Sequence, residues 1–360
     1  MPQPSDVPGV YSARPVFKVD GTERPALGEG VLELMVEETT AGLYRCEATF
    51  TNWGPTNQGT GYLYFDRQVL EFGKPFVIEA GADQSTGTIF DGRISALEGR
   101  YLRQRPPEVL VCAEDRLQDL RMTRRTRTFQ DLTDSDLFQR VASQHGLQAS
   151  VDVSGPTHKI LAQVNQSDLA LLRERARSID AEVWIDGRTL HVQSRAKRQT
   201  GDLALTYGQG LHEFSVTADL SSQASGFTVT GWDVSGKQKI SHRATSSIIS
   251  GEAGSDSVGS DMLDQAFGTR EQQVVHALPM TTDEAKAEAE AYYRRSARQF
   301  VTGSGTAEGD ARLRVGTRLT LSGLGSLFDG KYYVTRVKHT FDTERGFRTT
   351  FAVERPGVKA

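Results

Sequence analysis

The chain carries seven histidines, His145, His158, His191, His212, His242, His276 and His339, and no two are three or four residues apart. That spacing is what would put two imidazoles on one helix face to grip a metal ion. No helical metal pair is therefore expected, and each His reads as a surface or strand residue. Asp134-x-Asp136 starts like a metal loop but lacks the further ligands and the Gly of a calcium site, so it reads as helix capping. Glu37 and Glu38 are acids of the type a glycosidase needs, but nothing in the sequence brings such a pair of carboxylates together across a substrate. Cys46 and Cys112 stand far apart in no ligand spacing and read as two thiols buried in strands. Neither a Gly-x-Ser-x-Gly elbow nor a Gly-rich phosphate-binding loop occurs. The sharpest charge cluster is Arg121, Arg124, Arg125 and Arg127. A solvated face or subunit contact is expected there. No catalytic residue, metal ligand or cofactor follows from these patterns, and an enzyme is not expected.

The elements that would carry such residues are mostly strands. Lys and Arg number 42 against 46 Asp and Glu, a net charge of −4, which argues against a generic nucleic-acid binder. No apolar run is long enough to span a membrane, and the start, Met1 to Asp6, lacks the basic and apolar regions of a secretory signal. The 35 glycines, with only 12 prolines, fall between short alternating segments as turns do. Leu43–Phe50, Pro75–Gly81, Ile89–Ile94 and Glu108–Ala113 read as strands, and residues 1–113 as a first antiparallel, tube-like β-barrel. Residues 114–198 read as an α/β module. It has one helix after Asp134 with Gly146 as C-cap, a second after Ser167, and a hairpin at Asp186-Gly187. Residues 199–360 read as a second barrel. It carries a Ser/Gly-rich surface loop (246–261) and a long helix (282–300) whose inward stripe is Ala285, Ala289, Tyr292, Ser296 and Phe300. The fold class is thus mainly β with a smaller α/β part.

Two stretches resemble each other. Gly73-Lys74-Pro75-Phe76-Val77-Ile78 leads to Phe90-Asp91-Gly92-Arg93-Ile94, and Gly316-Thr317-Arg318-Leu319-Thr320-Leu321 leads to Phe328-Asp329-Gly330-Lys331-Tyr332. A duplicated barrel predicts that Gly92 and Gly330 are equivalent structural turn glycines with positive φ.

The order of several segments carries a family resemblance. Asn165–Ala176, Ala181–Val192, Val229-Thr230-Gly231-Trp232-Asp233 and the end Phe328–Val334, Val337–His339 and Gly346–Phe351 resemble the phage late control protein D family. That family forms the baseplate hub of contractile tails and injection systems and is related to the N-terminal part of type VI secretion VgrG spike proteins. The resemblance covers most of residues 100–355. It implies a non-enzymatic homotrimer whose paired barrels adapt a sixfold inner tube to a threefold spike. It also implies contacts with the inner tube protein and other baseplate proteins, and assembly in the cytoplasm into a phage tail or extracellular particle. The spike is expected as a separate protein, since the chain ends soon after its last strand. The competing expectations are a tail-associated glycan hydrolase and a cell-surface-binding β module.

Overall fold

The computed structural model describes residues 14–57, 59–81 and 85–359; the N-terminal residues read for a leader lie outside them. The first part is almost all strand: β1 (Val16–Val19), β2 (Thr22–Glu23), β3 (Val31–Thr39), β4 (Arg45–Thr51), β5 (Trp53–Thr56), β6 (Gly59–Tyr62), β7 (Pro75–Ala80), β8 (Gly87–Arg100) and β9 (Glu108–Glu114). One helix, α1 (Pro25–Gly30), with Pro25 in its first turn, precedes β3. Alternation decides the inner face: Phe76, Ile78 and Ala80 of β7 are buried while their neighbours are partly exposed. Phe17, Phe50 and Phe76 pack there, with ring centroids 5.0 and 5.8 Å from Phe17.

A second core belongs to α2 (Leu117–Arg121), β10 (Arg124–Thr133), α3 (Asp134–Gln144), β11 (Gln148–Asp152), β12 (Thr157–Ser167), α4 (Asp168–Ser178), β13 (Ala181–Asp186) and β14 (Thr189–Ser194). Thr133 caps α3 reciprocally with Asp136, Ser167 caps α4, and Gly146 follows α3 at φ +65°. The hairpin at Asp186-Gly187 forms as the sequence predicts, pairing Asp186 with Thr189.

The chain then adds β15 (Asp202–Tyr207) and β16 (Gly210–Ala218). It next departs into β17 (Gly226–Asp233), β18 (Gln238–Ala244), α5 (Ser250–Ala253), β19 (Ser257–Val258), α6 (Gly259–Phe267), β20 (Glu271–Val274) and α7 (Thr282–Arg298). It returns as β21 (Val301–Glu308), β22 (Arg318–Ser322), β23 (Gly330–Asp342), β24 (Gly346–Arg355) and β25 (Gly357–Val358). The sheet β18-β17-β20 packs on α7 around its own core, which includes Val229, Ala289 and Tyr293. The expected Ser/Gly-rich loop 246–261 is therefore not a loop. It holds a short 3-10 turn, α5, β19 and the start of α6, with Ile249 and Val258 buried and β19 paired to β25. Its three apolar residues suffice because α7 supplies the rest of the core. The stripe of α7 is also shifted: Ala285, Ala289, Tyr293 and Ala297 are buried, one residue on from the expected Tyr292 and Ser296.

One 13-stranded sheet runs β2-β1-β7-β8-β9-β4-β3-β23-β22-β15-β16-β21-β24, and β24 also pairs with β23. The last six strands hence close into a ring. The N-terminal ladder has no such closure among the described residues: β3 continues into β23 and β2 forms an edge.

Within this sheet, β3-β4-β9-β8-β7 and β16-β21-β24-β23-β22 repeat each other residue for residue. The row Val36, Cys46, Ala113, Ile94 corresponds to Val216, Gly303, Val353, Val334. Extra residues occur at matching places, between Val31 and Glu33 and between Leu211 and Glu213, then between Ile94 and Ala96 and between Val334 and Arg336. The hydroxyl inside each later bulge donates across the ladder, Ser95 to the Cys112 carbonyl at 3.2 Å and Thr335 to the Ala352 carbonyl at 3.3 Å. Gly73 (φ +77°) and Gly316 (φ +92°) donate their N–H to Ile94 and Val334.

This register corrects the expected glycine pair. Gly92 lies inside β8 opposite Phe76, whereas the residue opposite Leu319 is Tyr332, so the Phe-Asp-Gly match is two residues out of step. Gly92 is not at a turn and its φ is not positive; a Cβ there would fall on the Glu114 carbonyl and the Phe90 ring. Gly330 opens β23 at φ +151°. Gly73 and Gly316 are the equivalent strained pair.

Two outcomes follow from this packing. Gly92→Ala is expected to cost about 1–3 kcal/mol, the usual penalty of overpacking. Gly30→Ala, where nothing lies within 4 Å and φ is ordinary, should change little; urea midpoints compare them. His339 is fully buried, and burial, then Arg314, pushes its pKa from 6.5 down to about 3. The unfolded imidazole takes up a proton that the folded one refuses. Stability should thus fall as pH drops from about 6.5 toward 3, by up to about 1.4 kcal/mol per pH unit from this group. His339→Asn should flatten that part of the pH–stability curve in chemical denaturation.

Candidate functional site at the junction of the modules

The residues that the sequence offered for chemistry do not assemble into a reaction centre. His145 bonds Asp168 at 2.9 Å, His191 stacks on Trp184 with centroids 5.0 Å apart, His212 meets Glu308 at 3.0 Å, and His276 bonds Tyr292. His242 sits in β18 opposite Val229. Among the described residues, no group of three or more His, Cys, Asp or Glu could hold a metal ion. Glu37 pairs with Arg45 at 2.7 Å while Glu38 is buried against Arg314, so the two acids serve different partners. Cys46 is buried and Cys112 half-buried. The arginine run is consumed locally: Arg121 pairs with Glu114, Arg124 donates to the Asn165 carbonyl, and Arg125 and Arg127 both pair with Asp168. Asp136 caps α3.

Three knots of buried charge stand where the modules meet. At the first, Glu182 of β13 accepts from Arg198 Nη1 at 3.0 Å and from the Tyr333 hydroxyl at 2.7 Å, and Arg198 Nη2 donates to Tyr44 at 2.9 Å. Arg195 adds a contact to Glu182 at 3.3 Å, pairs with Glu354 and lies 4.2 Å above the Tyr333 ring. At the second, Arg298 at the end of α7 grips Asp180 at 2.6 and 2.8 Å and Glu252 of α5 at 2.6 and 2.7 Å. Burial alone would lower the Arg298 pKa, but these two carboxylates outweigh it and raise it. At the third, His158 of β12 bonds Glu284 of α7 at 2.7 Å and Asp134 of α3 at 3.1 Å, and Arg175 holds Asp134 at 2.7 Å. Burial would lower the His158 pKa, and the two carboxylates again override it and raise it.

The first two knots floor a cleft of about 930 Å³ between the α/β module, α5 and α7, and strands β22 to β24. Lys197, Lys286, Arg294, Arg318 and Lys331 share its lining with Asp152, Asp283 and Glu290. Such a surface, mixed in charge, can bind charged groups. Sequence reading missed these groups because Arg195 and Arg198 stand in a polar linker and Arg298 in a basic helix end, where solvated charge is the ordinary reading.

Arg298→Met would leave the largely buried Asp180 carboxylate without its cation and strip Glu252 of its partner. It should cost about 3–5 kcal/mol, and the gap to the native chain should narrow as pH falls. Burial would raise the Glu252 pKa, but Arg298 outweighs it and lowers it, a contribution that is lost in acid. Urea denaturation at pH 7 and pH 4.5 reads both effects.

Comparison with known proteins rests on fold. Among curated proteins none matches the chain. A prophage 43 kDa tail protein from Shewanella oneidensis superposes with a TM-score of 0.68 at 15% identity, over 95% of this chain and 98% of that one. A tail protein from Neisseria meningitidis gives 0.64 at 11% identity, over 96% and 97%. An Escherichia coli component of the type VI secretion system, described as similar to T4 bacteriophage tail proteins gp27 and gp5, gives 0.58 at 13% identity, over 94% and 76%. The fold is that of phage tail and type VI secretion components, as the expected resemblance implied, although the family whose model matches is not the late control protein D family. That match, to the family described as Alg8 N-terminal domain, spans residues 31–343, and the chain belongs to this family.

Proposed function

We propose that the chain is a structural, non-enzymatic hub of a contractile tail or injection-system baseplate. Three copies form a ring in which the two ladders of each chain act as successive tube-like barrels. That ring presents six similar faces to a sixfold inner tube and a threefold face to a spike. The observation that carries this reading is the duplication: two five-stranded ladders with matched registers, bulges and strained glycines. An internal repeat is what lets a threefold ring imitate a sixfold one, because symmetry alone multiplies surfaces only by the number of subunits. The fold shared with phage tail proteins supports it. The hydrolase reading would need two carboxylates free to act across a substrate, whereas Asp180, Glu182, Glu252 and Glu284 are all engaged by cations.

Native mass spectrometry and electron microscopy test it, on the chain alone and mixed with the tube and spike proteins of its own particle. The expected species has the mass of three chains and threefold symmetry. Monomers or twofold dimers in every mixture overturn the reading.

A further inference from the structure

A second, smaller cavity of about 170 Å³ opens beside the His158 knot, outside the large cleft floor. Its polar wall is almost fully used. His158 is engaged by Asp134 and Glu284, Arg175 by Asp134, and Glu284 also accepts the Met280 and Thr281 N–H groups at 2.7 and 3.2 Å. Glu288, one turn further along α7, is the exception. Its Oε2 is buried without a hydrogen-bond partner, and among the described residues Glu288 forms no ion pair. Burial raises its pKa, so the carboxylate carries an unmet desolvation cost. Arg175, His276 and His158 lie close enough to act on Glu288 through space, but none of them hydrogen-bonds its Oε2.

The rim has the opposite character. Leu278 is 85% exposed, Ile160 53% and Met280 45%. The volume corresponds to roughly five or six waters at liquid density: one long side chain, not a helix or folded segment.

We propose that this cavity is an anchor site for a single arginine side chain of a partner protein, with the guanidinium on Glu288 and its aliphatic stem along Ile160, Leu278 and Met280. Arginine joins the two halves of the site. Its planar fork meets a carboxylate with two parallel hydrogen bonds, and its stem covers apolar surface while the head stays polar. A small inorganic cation would use only Glu288 and leave the rim exposed. Arginine anchored in a desolvated pocket is a common centre of binding energy at interfaces. The inference does not rest on the hub reading, since the ring can form with this cavity empty and the cavity can bind in a monomer.

The test uses the full chain with methyl-labelled Ile, Leu and Met, titrated with acetyl-Ala-Arg-Ala-amide and with the same peptide carrying lysine or citrulline. The expected result is saturable shifts of the Ile160, Leu278 and Met280 methyls with the arginine peptide. Affinity should fall at least tenfold for citrulline, and at least tenfold again for the arginine peptide on Glu288→Gln. Leu278→Ala, at a solvent-exposed position, should weaken binding several-fold with unchanged thermal stability, which keeps the test valid if Glu288→Gln folds poorly. No methyl shift at tens of millimolar arginine peptide overturns the inference. So do equal binding of the citrulline or lysine peptide, unchanged binding in Glu288→Gln, and shifts confined to another surface.

Discussion

Strand β23 belongs to both ladders at once, and the rest of the architecture depends on that. Its first residues pair with β22, and its residues 336–342 are flanked by β24 on one side and β3 on the other. A strand hydrogen-bonded along both edges has no backbone groups left to exchange with water, so the two ladders cannot turn against each other without breaking a full row of bonds. The inner face of that stretch, Val337, His339 and Phe341, is buried. His339 lies in it with Nδ1 on Thr349 at 3.0 Å and Nε2 without a partner, and Glu38 on the neighbouring strand is sealed against Arg314. Neutral imidazole is the form this site accepts, which makes the seam acid-sensitive.

The α/β module is joined on different terms. It shares no strand with the large sheet, and beside the apolar contacts of Trp184 and Leu43 several arginines reach from it to the ladders. Arg173 donates to the Ala41 and Gly42 carbonyls at 2.7 and 3.0 Å, Arg198 reaches Tyr44, and Arg195 reaches Glu354. Arg298 ties α7 to Asp180 in the same way. Desolvated ion pairs of this kind add little net stability compared with apolar packing, but breaking one side of them is costly. They therefore fix orientation: a shifted module would strand a buried charge, whereas an apolar interface tolerates sliding.

What the sequence shows and what it hides divide along the same line. Local rules were legible: the Asp186-Gly187 hairpin, the capped starts of α3 and α4, Gly146 after α3, and the acid-to-base polarity of α7 all depend on neighbours a few residues away. The duplication was half legible. Gly73 and Gly316 mark it because their positive φ demands glycine, but the aligned Phe-Asp-Gly pieces mislead, since Gly92 is a glycine for want of space under the Glu114 carbonyl and Gly330 for its backbone angle. Register is a property of paired strands, and no single strand states it. The charge knots were illegible, because Arg198 with Glu182 and Arg298 with Asp180 become partners only after modules far apart in sequence dock. The segment 246–261 failed for a related reason: its few apolar residues are enough only when α7 completes their core.

The two copies of the ladder diverge at their margins, and the divergence is physically ordered. Next to β22 the chain adds β15 in parallel, and β15 reaches β16 to close the ring. Next to β7 it adds β1 antiparallel, followed by the short β2, and α1 with its fully buried Leu27 takes the chain back to β3. The matched strands, β9 and β8 against β24 and β23, therefore present similar backbone to one side, while the unmatched margins present different backbone to the other. Had the duplication been complete, every face would repeat alike. A copy that is faithful in its central strands and rebuilt at its margin is the arrangement that, under the hub reading, can meet a sixfold partner with one face and a threefold partner with the other.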